Sequence, residues 1–200
     1  QFGLWLAPLL ICEGSPFYEE LRPMVNTAAV TLENGGRPVH PFDQESPQFL
    51  QYLYDSFVSL TAQYGVQYYK LDFLAASFQR FTAPGGRVYG KSDYCVALFR
   101  RVLQTIRRAV GPQVTLLTCG APVLESAGIF NAARTSCDII WGKNPAFPTY
   151  WSIMKQATDT VLHRGFYHGR VFCNDPDGLV MRDWDNGDGF DCTWSEARLW

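Results

Sequence analysis

The chain has 200 residues, of which 47% are hydrophobic, 15% aromatic and 18% charged, with a formal net charge of -2. That is enough apolar material for one globular domain with a sizeable core, and it excludes an intrinsically disordered chain. No apolar run approaches the ~18 residues a membrane span needs, and a pI near 5.9 argues against a dedicated nucleic-acid binder.

In chain order, residues 2–7 (FGLWLA) form a short apolar run halted by Pro8, the pattern of a buried strand. Ser46-Pro47 supplies an N-cap and a first-turn proline. Phe49, Leu50, Leu53, Phe57, Leu60 and Tyr64 follow at helical spacing up to Gly65. Residues 66–73 (VQYYKLDF) read as a strand. Ser92 opens a second helix with Val96, Phe99, Val102, Leu103, Ile106 and Val110 on one face, ended by Gly111-Pro112. Arg100, Arg101, Arg107 and Arg108, repeating at seven, fit the solvated outer face of that helix. Residues 114–119 (VTLLTC) are a third strand and 133–139 a fourth. Thr149 caps a third helix that runs to His163 and stops at Gly165, and residues 170–173 (RVFC) are a fifth strand.

Alternation of strands and helices implies a parallel sheet with helical crossovers. Helix-to-strand links are short, whereas the links after strands, at 8–45, 74–91, 120–131 and 174–193, are mostly long. Long loops gathered where strands end are what an α/β (β/α)8 barrel shows, with its active site on that face. No glycine-rich phosphate loop of the kind an open dinucleotide-binding sheet carries is present. Five strands do not close a barrel, so residues 1–200 are expected to form one partial barrel domain of a longer protein.

Six cysteines at 12, 95, 119, 137, 173 and 192 include no CxxC pair, and reduced, mostly buried thiols are expected. His40, His163 and His168 form neither HxH nor HExxH, so neither metal nor other cofactor is expected. Asp183, Asp185, Asp188 and Asp191 fail the EF-hand pattern and read as a solvated turn. No secretory leader precedes the first strand, which slightly favours the cytoplasm.

The strand-end polar residues are Trp5, Lys70, Asp72, Cys119, Arg134, Asp138, Asp175 and Asp177. Lys70 and Asp72, two apart, share one face of their strand, with Tyr69, Leu71 and Phe73 turned toward the covering helices. Such a pair either plugs the barrel end as an ion pair or keeps a nucleophilic carboxylate ionised. Asp138, four residues after Arg134, is either half of a local ion pair or a second carboxyl group of the pocket. Two carboxyl groups from different strands are the minimum for glycoside hydrolysis. The run 174–178 (NDPDG) is a turn, or places Asp175 and Asp177 on sugar hydroxyls. Trp5 is a core side chain or a flat platform for a sugar ring.

FGLWLAP, YYKLDF, CGAP, ARTSCD and NDPDG, in this order, resemble the α-galactosidase (melibiase) clan of retaining glycoside hydrolases. The resemblance covers nearly the whole chain and implies strands three to seven of that family's barrel. It implies Asp72 as nucleophile and Asp138 as general acid/base, with Lys70 and Trp5 binding the sugar at the −1 subsite. It further implies that Cys119 lines the pocket, Arg134 orients Asp138, and Asp177 lies near the sugar hydroxyls. Many members follow the tryptophan with an acidic E-P-E turn, where Leu6-Ala7-Pro8-Leu9 stands here. Many carry a glycine run or an acidic residue where Gly120-Ala121-Pro122 follows the cysteine. The implied substrate is a terminal α-galactoside or a related α-linked sugar, cleaved by double displacement with no nucleic-acid or membrane partner. The alternatives are a catalytically inactive carbohydrate-binding barrel and a transglycosidase.

Overall fold

The computed structural model describes residues 2–27, 29, 31–78, 92–139, 150–178, 195 and 198. The expected cap at Thr149, the acidic run 183–191 and Cys192 lie outside them. The chain divides into two compact units, Gln1–Asn131 and Ala132–Trp200.

The first unit is built on three parallel strands. β1 (Gly3–Leu6) leads into an excursion containing β2 (Leu10–Cys12), the short α1 (Tyr18–Leu21), β3 (Leu32–Asn34) and β4 (Arg37–Pro41). Next come α2 (Pro47–Tyr64), β5 (Tyr68–Leu71), α3 (Leu74–Phe78), α4 (Ser92–Val110) and β6 (Thr115–Thr118). β5 pairs in parallel with β1 on one side and β6 on the other, setting Trp5 against Lys70 and Lys70 against Leu117. The second unit holds β7 (Ala132–Arg134), α5 (Tyr150–Arg164) and β8 (Cys173–Asp175), with β7 and β8 parallel. Parallel strands joined by helical crossovers are the repeating element of a (β/α) barrel, and this chain carries part of one.

α2 begins and ends where its local chemistry dictates. The Ser46 hydroxyl accepts from the Phe49 amide at 3.3 Å, Pro47 occupies the first turn, and the Gly65 amide closes on the Thr61 carbonyl. Its inner face buries Phe49, Leu53 and Phe57, while Leu50 and Leu60 are half-buried and Tyr64 is exposed. Phe57 meets Tyr69 edge-on at 5.0 Å, and the Tyr69 hydroxyl lies 3.0 Å from Thr61 Oγ1, tying β5 to α2. Burial pushes that phenol above its ordinary pKa. α4 packs against α2 and buries Phe99, Val102, Leu103 and Ile106 completely. Complete burial of such side chains contributes roughly 1.5–3 kcal/mol each. At its start Cys95 and Leu98 are buried instead of Val96, so the buried stripe is turned slightly from the expected one.

The structure corrects several expectations. The region 8–45 is not a plain loop: β2, β4 and β3 form an antiparallel sheet. Asn34 pairs with Arg37 across a two-residue turn, Gly35-Gly36, both at positive φ. That is the backbone a tight hairpin demands and glycine supplies freely.

The expected strand 133–139 is only Ala132–Arg134, because the chain beyond it is drawn into side-chain contacts described below. The expected strand 170–173 lies instead at Cys173–Asp175. The amides of Arg170, Val171 and Phe172 all turn onto the Tyr167 carbonyl, which removes them from the ladder.

Of the four α4 arginines expected on a solvated face, Arg101 and Arg108 are exposed, but Arg100 and Arg107 are half-buried. Arg100 donates to the Glu125 and Ala127 carbonyls, and Arg101 to the Gln44 carbonyl. Arg107 donates to the carbonyls of Ile129, Gly111 and Val114 and to Asn131 Oδ1. These guanidiniums fasten loops, and desolvation lowers the pKa of Arg107. Of the five described cysteines, all free, Cys95 and Cys119 are buried, Cys12 is half-buried, and Cys137 and Cys173 are exposed. The thiols are therefore less buried than expected.

Candidate active site

In the first unit, the parallel register places Trp5, Lys70 and Leu117 in one row across β1, β5 and β6. Side chains alternate along a strand, so Asp72 and Cys119 continue that face two residues further on. The opposite face carries Tyr69, Leu71 and Leu116, all fully buried. Lys70 and Asp72 thus share a face away from the helices, as expected. Phe73 does not join Tyr69 and Leu71 on the helix side. It stands beyond the strand end, 40% exposed, with φ at 55°.

The ladder continues one step past β5, since the Asp72 amide donates to the Leu6 carbonyl and the Cys119 amide to the Leu71 carbonyl, each at 2.8 Å. Asp72 therefore starts from rigid sheet although it stands in the loop. Both its carboxylate oxygens are held. Trp5 Nε1–H donates to Oδ2 at 3.0 Å, and the Phe73 amide donates to Oδ1 at 2.7 Å. The second bond goes with the left-handed backbone of Phe73, a conformation that is costly for a bulky side chain and concentrates at functional sites.

Trp5 is 53% exposed and meets Phe73 edge-on at 6.2 Å. It is not a core tryptophan; its apolar face is open beside the carboxylate that its N–H holds. No ion pair joins Lys70 to Asp72 among the described residues, so the plugging reading of that pair fails. Half-buried Lys70 stands in register beside Trp5.

Cys119 is buried at the end of β6, and Gly120 follows it at φ 53°. A Cβ at Gly120 would lie 3.2 Å from Asp72 Oδ1 and 3.5 Å from the Phe73 amide nitrogen. Glycine here serves both a left-handed turn and the close approach of the backbone to the carboxylate. Gly120→Ala is expected to cost about 1–2 kcal/mol of stability for the left-handed residue alone. Denaturant unfolding of the full-length protein measures it, and unchanged stability would refute the tight-packing account.

In the second unit, β7 ends in Arg134, whose side chain is 3% exposed. Its Nη2 donates to Asp138 Oδ1 at 2.7 Å and lies 2.6 Å from Asp177 Oδ2. Asp138 remains 49% exposed, so the arginine is buried while the carboxylate reaches solvent. A buried guanidinium requires such partners, because an unpaired charge away from water is costly. Asp175 Oδ1 accepts from the Asp177 amide at 3.0 Å, and the Asp175 carbonyl accepts from the Thr135 amide at 2.8 Å. The run 174–178 is thus a carboxylate-braced turn with Asp175 half-buried.

His163 lies in the last turn of α5 and His168 in the turn after it. His40, to which the sequence assigned no place, is buried in the excursion with Nδ1 2.7 Å from the Ala29 carbonyl and Nε2 2.8 Å from Glu13 Oε1. The unread signal of ordered structure there is Asn34-Gly35-Gly36, a tight-hairpin sequence. Among the described residues no three His, Cys, Asp or Glu side chains gather as a metal site.

No family model matches the chain. Solved structures do. TtGalA, an α-galactosidase from Thermus thermophilus in complex with p-nitrophenyl α-D-galactopyranoside, matches over 98% of this chain with a TM-score of 0.74 and 27% identity. The fold is that of the α-galactosidase clan of glycoside hydrolases. The same enzyme in complex with stachyose matches over 98% of the chain with a TM-score of 0.69 and 26% identity. The chain spans 40% and 42% of the length of those two structures.

Proposed function

We propose that this chain carries the catalytic carboxylates of a retaining glycosidase that acts on terminal α-galactosides or related α-linked sugars. The observation that carries the reading is the match over 98% of the chain to an α-galactosidase fold. It is supported by Asp72, a carboxylate with both oxygens held, standing at the end of the strand that pairs with the one bearing an exposed tryptophan.

In this reading Asp72 attacks the anomeric carbon while protonated Asp138 gives its proton to the departing oxygen. The anomeric carbon–oxygen bond breaks and a covalent glycosyl ester forms on Asp72. Asp138, now a carboxylate, takes a proton from water, which attacks the same carbon and releases a sugar of retained configuration. The indole and amide donors hold Asp72 rigidly, so little reorganisation is needed as its charge passes to the substrate. Trp5 offers the sugar an apolar face, Lys70 donates to its hydroxyls and Cys119 stands beside them, while in the second unit Asp175 is the candidate for sugar hydroxyls. Arg134 orients Asp138.

The test is the full-length protein against a panel of aryl glycosides, with the first-formed anomer followed by NMR. Turnover of the α-galactoside, or of an α-linked sugar of related shape, with α-sugar appearing first is expected. A β-sugar product would overturn the retaining mechanism, and sugar binding without turnover across the panel would leave a binding barrel.

A further inference from the structure

Resting on the reading of Asp138 as acid/base, we propose that Asp177 is a positioning residue that divides the Arg134 charge with Asp138, rather than a ligand of the sugar. One nitrogen of a buried guanidinium touches both carboxylates, at 2.7 and 2.6 Å. The trio carries one positive and two negative charges, so Asp138 does not receive the full attraction of Arg134. A general acid needs that arrangement, because an undivided neighbouring cation would hold the carboxylate form and oppose protonation.

Asp177 is built into this place. Its Oδ2 also accepts from the Ile139 amide at 2.8 Å, so it grips the loop on both sides of Asp138, at residues 134 and 139. The Ser136 hydroxyl donates to the Pro176 carbonyl at 2.6 Å, a further tie between the two loops. Asp177 adopts φ 78°, which the Asp175 carboxylate braces through the Asp177 amide. Aspartate and asparagine are among the few non-glycine residues that tolerate that region. The Asp177 side chain is 25% exposed against 49% for Asp138, so of the two anions Asp138 is the more open to a substrate.

Among the described residues, Cys137, Arg164 and Asp175 are further ionisable groups of these loops. Cys137 Sγ lies 3.3 Å from Gln156 Oε1, and partial desolvation pushes its thiol upward, which keeps it neutral at neutral pH. Arg164 donates to the Thr135 carbonyl at 2.9 Å, and Asp175 braces the turn. Neither is an ion-pair partner of Arg134.

Asp177→Asn in the full-length protein tests this. Its amide oxygen can still accept from the Ile139 amide, and asparagine tolerates the backbone, but the charge is gone. The Arg134 charge then falls on Asp138 alone. The basic limb of kcat/KM against pH, read on an alkyl α-galactoside, is expected to move down by about one pH unit, with KM within about twofold of the parent value. A limb that stays in place while KM rises about tenfold makes Asp177 a sugar ligand and overturns the proposal. Asp177→Gly, unstrained at this φ, carries the same test if the asparagine variant fails to fold. A parent protein without turnover on any glycoside would defeat the hydrolase reading itself, a result separable from an unmoved limb.

Discussion

Asp72→Asn in the full-length protein is expected to lower kcat on p-nitrophenyl α-galactoside by about 10⁴-fold or more, the scale of losing a covalent nucleophile. Asparagine is nearly isosteric, yet it offers one acceptor oxygen where the native side chain offers two. The Trp5 indole and the Phe73 amide both point donors at this group. One of them must then face the amide nitrogen, so the variant loses both the nucleophile and part of its anchoring. Asp72→Gly leaves room for azide, which would enter on the vacated face. β-Galactosyl azide from an α-galactoside is the expected product, identified by NMR. A variant retaining most of its turnover, or giving α-galactosyl azide, would remove Asp72 from the nucleophile's role.

Asp138→Ala is expected to separate substrates by leaving group. Removing a general acid costs about 10²- to 10⁴-fold where the departing oxygen needs a proton. An alkyl or sugar leaving group needs one; p-nitrophenolate needs much less help. The kcat/KM for the alkyl galactoside should therefore fall far more than that for the aryl one. Azide here would attack the glycosyl ester on Asp72 from the opposite face, giving α-galactosyl azide, the other anomer of the first experiment's product. Equal losses on both substrates would argue that Asp138 acts only through Arg134 and the loop.

What could be read from the sequence was what local chemistry decides. Ser46-Pro47 and Gly65 bound α2 because capping and helix stops depend on neighbours in the chain. Lys70 and Asp72 on one face followed from strand alternation, and the long links after strands pointed to the barrel. Contacts across long separations were hidden. Nothing in residues 2–8 says that the Trp5 indole meets a carboxylate 67 positions later. Nothing in NDPDG says that Asp177 pairs with Arg134. The RVFC run is apolar enough for a strand, and only the Tyr167 carbonyl, which collects three amides, displaces it. The α4 arginines look like an ordinary polar face until the carbonyls of Glu125, Ala127 and Ile129 come to meet them. The three-residue strands of the excursion are too short to show a period.

That excursion has an evolutionary corollary. Its sheet pairs β2, β4 and β3 with one another and borrows no rung from the parallel ladder of β1, β5 and β6. An insertion, deletion or wholesale exchange between Pro8 and Glu45 would leave the alignment of Trp5 with Lys70 untouched. The excursion is thus a separately exchangeable appendage beside the strand register that carries Trp5 and Lys70.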